Sequence, residues 1–319
     1  MFVNLLIWLA LLALAVFFGW LVKRAWRARS LFVRVPGVLF GGLLTLLAVL
    51  LLGIGAVGLY KLYLPAPQPA QAALRETVQA TPEMIQRGEH LASVFCISCH
   101  SPNDDLPLVG GVDLSGEIPI PIGSLVSTNL TPAGPLKNYS DADIWRVLRE
   151  GVGPDGTRRF VMANTYTRYM SDEDLRSLIA YLRSQPAVEN AGPATGDRFN
   201  FLGVLLVGSG VIPEMPPVTE PIIAPPKAAT IEYGEYVLSY QDCRSCHGVD
   251  LLGGDGSLGP AGPGLRTVRG MTNEQFITMM RTGTRPDGHV LQPPMPWKAI
   301  GRMDDVELSA LYQSLINIP

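Results

Sequence analysis

All four cysteines of the 319-residue chain lie in two copies of one pattern, Cys96-Ile97-Ser98-Cys99-His100 and Cys243-Arg244-Ser245-Cys246-His247. Two thiols separated by two residues on a helical turn can reach both vinyl groups of one porphyrin and close thioethers with them. The adjacent imidazole is then set against the iron. C-x-x-C-H is thus the attachment pattern of c-type haem. Other uses of paired cysteines fit less well. A thioredoxin-like redox pair needs no histidine and sits in a strand–helix context that this sequence lacks. A zinc site built on two thiols and an imidazole wants a fourth ligand at compact spacing. Disulfides leave the histidine after both pairs unexplained. The expectation is two haem c groups, held covalently by Cys96, Cys99, Cys243 and Cys246, with His100 and His247 as iron ligands.

Iron in an electron carrier commonly takes Met as its second axial ligand, and ten Met are available. An internal repeat narrows the choice. Ile144-Trp145-Arg146-Val147-Leu148-Arg149-Glu150-Gly151 leads to Pro154-Asp155-Gly156. In the second half Phe276-Ile277-Thr278-Met279-Met280-Arg281-Thr282-Gly283 leads to Pro286-Asp287-Gly288. Arg, Gly and the Pro-Asp-Gly turn keep their offsets. Beyond the turn come Met162 and Met170 in one half, Met295 and Met303 in the other. Met170 and Met303 abut acidic helix starts, which reads as packing. Met162 and Met295 fall in the preceding irregular loop, which can reach over a haem face, so they are the expected sixth ligands. His90 is placed at an aromatic packing position matching Tyr236, and His289 at a solvated position after the turn.

The elements that must position these groups are helical. Thr81-Pro82 reads as an N-cap followed by Pro at the first helical position. Ser140 with Asp143 and Thr272 with Gln275 resemble capping boxes, and Ser171 is a good N-cap before three acids. Leu175, Leu178, Ile179 and Leu182 recur at helical spacing, as do Leu308, Leu311, Tyr312 and Leu315. No alternating strand is evident. The expected fold is all-α, with a few short helices and long loops around each porphyrin. Units of this size rich in Gly and Pro bury little core of their own.

Phe2 to Val22 and Val35 to Tyr60 carry no charge, and the loop between them holds Lys23, Arg24, Arg27, Arg29 and Arg34 without an acid. Each run is long enough to cross a hydrocarbon core of about 30 Å. A basic short loop stays cytoplasmic, so everything after Tyr60 faces outward. A cleaved export signal is the rival, since Ala70-Gln71-Ala72 has the look of a cleavage site. Both runs exceed a signal's apolar region, however, and nothing basic precedes the first. The anchor occupies 1–64, a Pro-rich linker 65–80, the first haem unit 81–190, a Pro-rich segment 191–230 and the second haem unit 231–319. Within 191–230 the apolar stretch Phe199–Pro213 is too short to span. It is expected to pack on a domain, with the membrane surface or a partner as alternatives. Beyond residue 64, 19 Lys/Arg face 28 Asp/Glu, a net charge of −9. Nucleic acid is excluded as a partner, because phosphate binding needs a basic face.

These residues resemble the dihaem cytochrome c family, of the type that serves as electron-transfer subunit of membrane-bound dehydrogenases and respiratory complexes. The first unit carries Thr128-Asn129-Leu130-Thr131-Pro132, Ser140-Asp141-Ala142-Asp143, Met162 and Met170-Ser171-Asp172-Glu173-Asp174-Leu175. The second, with Gly262-Pro263-Gly264-Leu265 and Met295-Pro296-Trp297, is similar to a class I cytochrome. The resemblance covers 81–319. It implies two class I-like cytochrome c domains and a role for the Pro263 carbonyl in orienting His247. Met162 is followed by Ala163 where the family usually has Pro.

The expected function is electron transfer on the outer face of a bacterial cytoplasmic membrane, within the respiratory or photosynthetic chain and as a subunit of a membrane complex. No residue is assigned a catalytic role. The alternatives are a dihaem peroxidase, a thiosulfate-oxidising cytochrome and a cytochrome subunit of a terminal oxidase. The two enzymes require an accessible iron position and nearby acid–base groups, and no distinctive peroxidase pattern is present.

Overall fold

The computed structural model describes residues 2–66, 77–118, 120–190, 192, 196–212, 214–256 and 260–319. The Ala70-Gln71-Ala72 site, most of the 65–80 linker and Pro213 lie outside the described residues. Two long helices, α1 (Phe2–Trp26) and α2 (Leu31–Tyr63), open the chain. The first C-x-x-C-H half follows with α3 (Pro82–Leu91), α4 (Ile97–His100), α5 (Asp141–Glu150), α6 (Phe160–Ala163) and α7 (Asp172–Ser184). Next comes α8 (Phe201–Ser209). The second half holds α9 (Ile231–Tyr240), α10 (Cys243–His247), α11 (Asn273–Thr282), α12 (Trp297–Ile300) and α13 (Asp305–Ile316). Strands β1 (Gly123–Val126) and β2 (Gly196–Phe199), absent from the sequence reading, form one two-stranded sheet. Four residues beginning at a glycine are too short to show alternation.

The caps sit where the sequence places them. Thr81 Oγ1 accepts from Met84 N, and Ser171 Oγ from Asp174 N. Ser140 with Asp143 and Thr272 with Gln275 form reciprocal capping boxes, and Asp304 with Glu307 forms a third. Each satisfies helix N–H groups that would otherwise lack a partner.

The chain divides into two compact units. One comprises Met1–Pro65, Pro121–Gly123 and Arg198–Glu214. Here α1 and α2 run antiparallel, with Trp8 over Gly55, Val22 against Gly41 and Ala25 against Gly37. Small residues on α2 let the two backbones approach. The outward faces are apolar and exposed, as at Leu39, Phe40, Leu43 and Leu46, which fits a transmembrane anchor. The apolar stretch after Phe199, expected to pack on a domain, forms α8 and packs on this hairpin.

The other unit comprises Ala66–Ile120, Ser124–Asp197 and Met215–Pro319, so both C-x-x-C-H motifs lie in it. Its packing repeats: α3 lies on α7, and α9 on α13. A Cβ on Gly88 would overlap the Ser177 carbonyl, and one on Gly234 would overlap the Ala310 carbonyl. Leu91, Leu175 and Leu178 of one half and Tyr240, Phe276 and Leu308 of the other belong to one contiguous core. Two halves of about 100 residues, each short of apolar surface to bury, gain by sharing it.

Candidate haem-binding sites

The first motif is reached through a widened turn, Ala92–Cys96, that joins α3 to α4, and the second is α10 itself. Helical geometry thus places each pair of thiols one turn apart with the histidine directly after. None of the four thiols is paired in a disulfide. Burial pushes Cys96, Cys99 and Cys243 up to about 12, and it raises Cys246 as well. All are neutral thiols at physiological pH.

Both histidines are held by a backbone carbonyl. In its Nδ1–H tautomer His100 donates to the Thr128 carbonyl at 2.8 Å, and His247 donates to the Pro263 carbonyl at 2.7 Å. Each bond orients the ring and leaves Nε2 as the free lone pair. Burial holds the His100 imidazolium below its ordinary range, against the pull of the Thr128 bond, so the neutral, ligating form is favoured. Gly262 makes room for the second ring, because a Cβ there would sit 2.7 Å from His247 Nδ1. Imidazoles held through Nδ1 with Nε2 free, each directly after two unpaired thiols, fit the covalent attachment of haem c. The resemblance implies the Pro263 contact; the Thr128 contact has no such sequence signal, because 28 residues separate it from His100 against 16 between His247 and Pro263.

The repeated Arg and Gly explain how the Met segments are placed. Arg149 Nη1 donates to the Arg168 and Met170 carbonyls at 2.5 and 2.8 Å, and Nη2 reaches Asp172 Oδ1 at 2.6 Å. In the second half Arg281 bonds the Gly301 carbonyl and Asp305. Both helices α5 and α11 end at a glycine with φ +68°, and the Met segment seats on that glycine. Ala163, beside Met162, leaves no room for a Cβ on Gly151, and the Trp297 ring does the same at Gly283. Met162 lies in the short helix α6 rather than in an irregular loop. Met162 and Met295 are half-buried against the core, whereas Met170 and Met303 are wholly buried within it.

His289 is exposed, as the sequence suggested. His90 is engaged elsewhere: its Nε2–H donates to Glu307 Oε2 at 2.5 Å across the two halves. Arg87 bridges Asp174 and Glu307 at 2.8 Å to each, and Lys227 pairs with Asp304 and Glu307. With two cations already on its carboxylates, the His90–Asp304–Glu307 cluster is an ion-pair network rather than a metal site. The repeat partner of His90 behaves alike. The Tyr236 hydroxyl donates to Asp174 at 2.5 Å and accepts from Ser171 N at 2.9 Å. Each half therefore reaches from the helix before its motif to the last helix of the other. The sequence aligned His90 with Tyr236 but gave no sign of these partners.

Residues 85–186 match the cytochrome c family; the span holds Cys96, Cys99, His100 and Met162. A stretch of 174 residues is 30% identical to "Alcohol dehydrogenase (quinone), cytochrome c subunit" of Gluconobacter oxydans, covering 51% of this chain and 35% of that protein. Another of 108 residues is 36% identical to "Gluconate 2-dehydrogenase cytochrome c subunit" of Pantoea cypripedii, covering 32% of this chain and 23% of that one. A "Diheme cytochrome c-type" of Cereibacter sphaeroides is 33% identical over 111 residues, 33% of this chain and 36% of its own length. The matched stretches thus cover about a third or less of these relatives.

Proposed function

We propose that this chain, whose residues 85–186 are a cytochrome c domain, carries electrons through two covalently bound haems on the outer face of a bacterial cytoplasmic membrane. It relays them from a quinol- or substrate-oxidising complex to an oxidase or soluble carrier. The carrying observation is the duplicated constellation: two free thiols, a histidine held through Nδ1 by a carbonyl, and a Met segment seated on a helix-ending glycine. When bound, haem c supplies an iron that cycles between ferric and ferrous. The residues' own work is positional. Cys96, Cys99, Cys243 and Cys246 would hold the two porphyrins through thioethers. His100 and His247 present Nε2, with the Thr128 and Pro263 carbonyls setting their tautomer. Met162 and Met295 would supply the second ligand to each iron, a thioether that would favour the reduced state.

A relay within one chain is supported by the surroundings of the two motifs. The Cys99 thiol is influenced by the charges of Glu117 and Asp242, and so is the Cys246 thiol. Both motifs also lie in one compact unit whose halves share a core. Relatives named as cytochrome c subunits of dehydrogenases favour a place in a membrane dehydrogenase complex. The anchor and its basic loop support the outward orientation.

Intact mass spectrometry of the full chain, purified in mild detergent, tests the reading. Two haem masses above the apoprotein, a low-spin ferric spectrum and co-purification with a dehydrogenase are expected. A bare polypeptide would end it. So would a high-spin ferric protein that turns over peroxide, which would favour the enzyme alternative.

A further inference from the structure

Helix α8 is bracketed by charge and contains none: nothing ionisable lies between Arg198 and Glu214. Its contacts with α2 are backbone to backbone. A Cβ on Gly58 would overlap the Val204 carbonyl oxygen, and one on Gly208 would overlap that of Ile54. The pairs 58–204 and 54–208 run in opposite directions along the two helices, so α8 descends beside the last turns of α2. After Gly210, a left-handed cap at φ +75°, the chain returns, and Glu214 pairs with Lys61 at 3.0 Å. It goes in and comes back on the same side.

The register of the hairpin sets how deep. α1 is free of charge only from Phe2 to Val22, 21 residues or about 32 Å, so that run must fill the hydrocarbon core. Val22 lies against Gly41, and the same slab therefore covers α2 from Gly41 to about Lys61. Ile54 is then about 10 Å inside its outer edge and Gly58 about 5 Å. Irregular backbone at that depth needs partners from the protein. At the deep end of α8 Gly210 N donates to the Val207 carbonyl and Val211 N to Ser209 Oγ, both at 3.4 Å. At its shallow end Asn4 Nδ2 donates to the Phe199 carbonyl at 2.8 Å, Asn200 N to the Ile122 carbonyl at 2.9 Å, and Asn200 Oδ1 caps Gly203 N at 2.9 Å. Val204 lies against Gly58 of α2 and Gly203 against the Ile122 carbonyl, and both are buried, as is Val207. Leu202 remains 41% exposed on the other side, with Leu205 and Leu206 half-exposed beside it.

We propose that Arg198–Glu214 is a re-entrant segment of the outer leaflet, its Leu202 and Leu206 face covered by lipid acyl chains and continuous with the apolar faces of α1 and α2. The inference rests on the outward-facing anchor proposed above. It makes the segment between the haem-bearing halves a third membrane attachment.

The test uses the full chain in nanodiscs containing a phospholipid with a diazirine in its acyl chain. Leu202→Cys and Leu206→Cys are compared with Leu50→Cys on α2 and with Ile223→Cys, at a residue 88% exposed. Native thiols are consumed by the thioethers, so a charged maleimide reports only the new one, through a thiolate that forms in water and not in hydrocarbon. The expected result is alkylation at position 206 at least an order of magnitude slower than at 223, with 202 intermediate. Full reaction in SDS confirms that the thiol is present, and photolysis should leave lipid adducts on the α8 peptide. Fast alkylation at 206 with slow alkylation at 50 overturns the inference and leaves the anchor standing. Slow alkylation at 206 without lipid adducts means that protein covers the face, which also overturns it. Fast alkylation at 50 removes the anchor and the inference together.

Discussion

At the scale of single residues, the second axial position separates what a side chain ligates from what merely holds it. Met162→Ala removes a proposed ligand, and one of two redox waves is expected to fall by on the order of 100 mV, since axial ligands set the potential. Arg149→Gln keeps the ligand but removes charge-assisted bonds to the Arg168 and Met170 carbonyls and to Asp172. Such bonds contribute about 1.5–3 kcal/mol each at most. Stability should fall while the potential moves less, as redox titration alongside thermal melting would show. Glu307 gives a pH dependence. Burial pushes its carboxyl up, yet hydrogen bonds from His90 and Arg87 outweigh that and hold it below the usual carboxylate range. A group depressed in the folded state stabilises fully above its unfolded value near ~4.3, and that contribution is lost as pH falls towards the folded value. Melting temperatures should therefore drop below about pH 4.5, and Glu307→Gln should flatten that slope. An unchanged slope would mean that the network does not stabilise the fold.

Among the helices, the two crossings at glycine make opposite predictions to ordinary helix propensity. Gly→Ala at an open helical site stabilises by about 0.4–1 kcal/mol. At Gly88 and Gly234 the added methyl meets the Ser177 and Ala310 carbonyls, and overpacking of this kind costs about 1–3 kcal/mol. Gly88→Ala and Gly234→Ala should each lower the urea midpoint; a rise at either would show that the helices part easily. The contrast also explains what could be read from sequence. Caps at Thr81, Ser140, Ser171 and Thr272 are local chemistry, and both motifs and the repeated Arg and Gly are visible as offsets. The partners of His90 and Tyr236 lie 217 and 62 residues away, where spacing carries no signal. Helix α8 is apolar on every side, so its composition could not say which face it buries or against what.

For the haem-bearing unit as a whole, the question is which electrostatic contacts salt can reach. Lys298–Asp104 and Arg302–Asp105 also join the halves, but they are well exposed and contribute little once screened. The Tyr236–Asp174 and Arg87–Glu307 contacts are largely buried, and ions screen them far less. The net charge of −9 beyond residue 64 lies mostly on the surface, where it attracts a basic partner over a distance set by the Debye length. That length falls from about 30 Å at 0.01 M to about 10 Å at 0.1 M. Stopped-flow reduction of a basic soluble cytochrome by this protein should accordingly slow steeply across that range, as steered associations do. Equilibration between the two proposed haems, followed after a light-driven pulse of electrons, should hold its rate over the same range, because the buried contacts would set its geometry. If both rates fell together, the exposed ion pairs would be fixing the geometry between the halves. A bimolecular rate indifferent to salt would instead place the docking site away from the acidic surface.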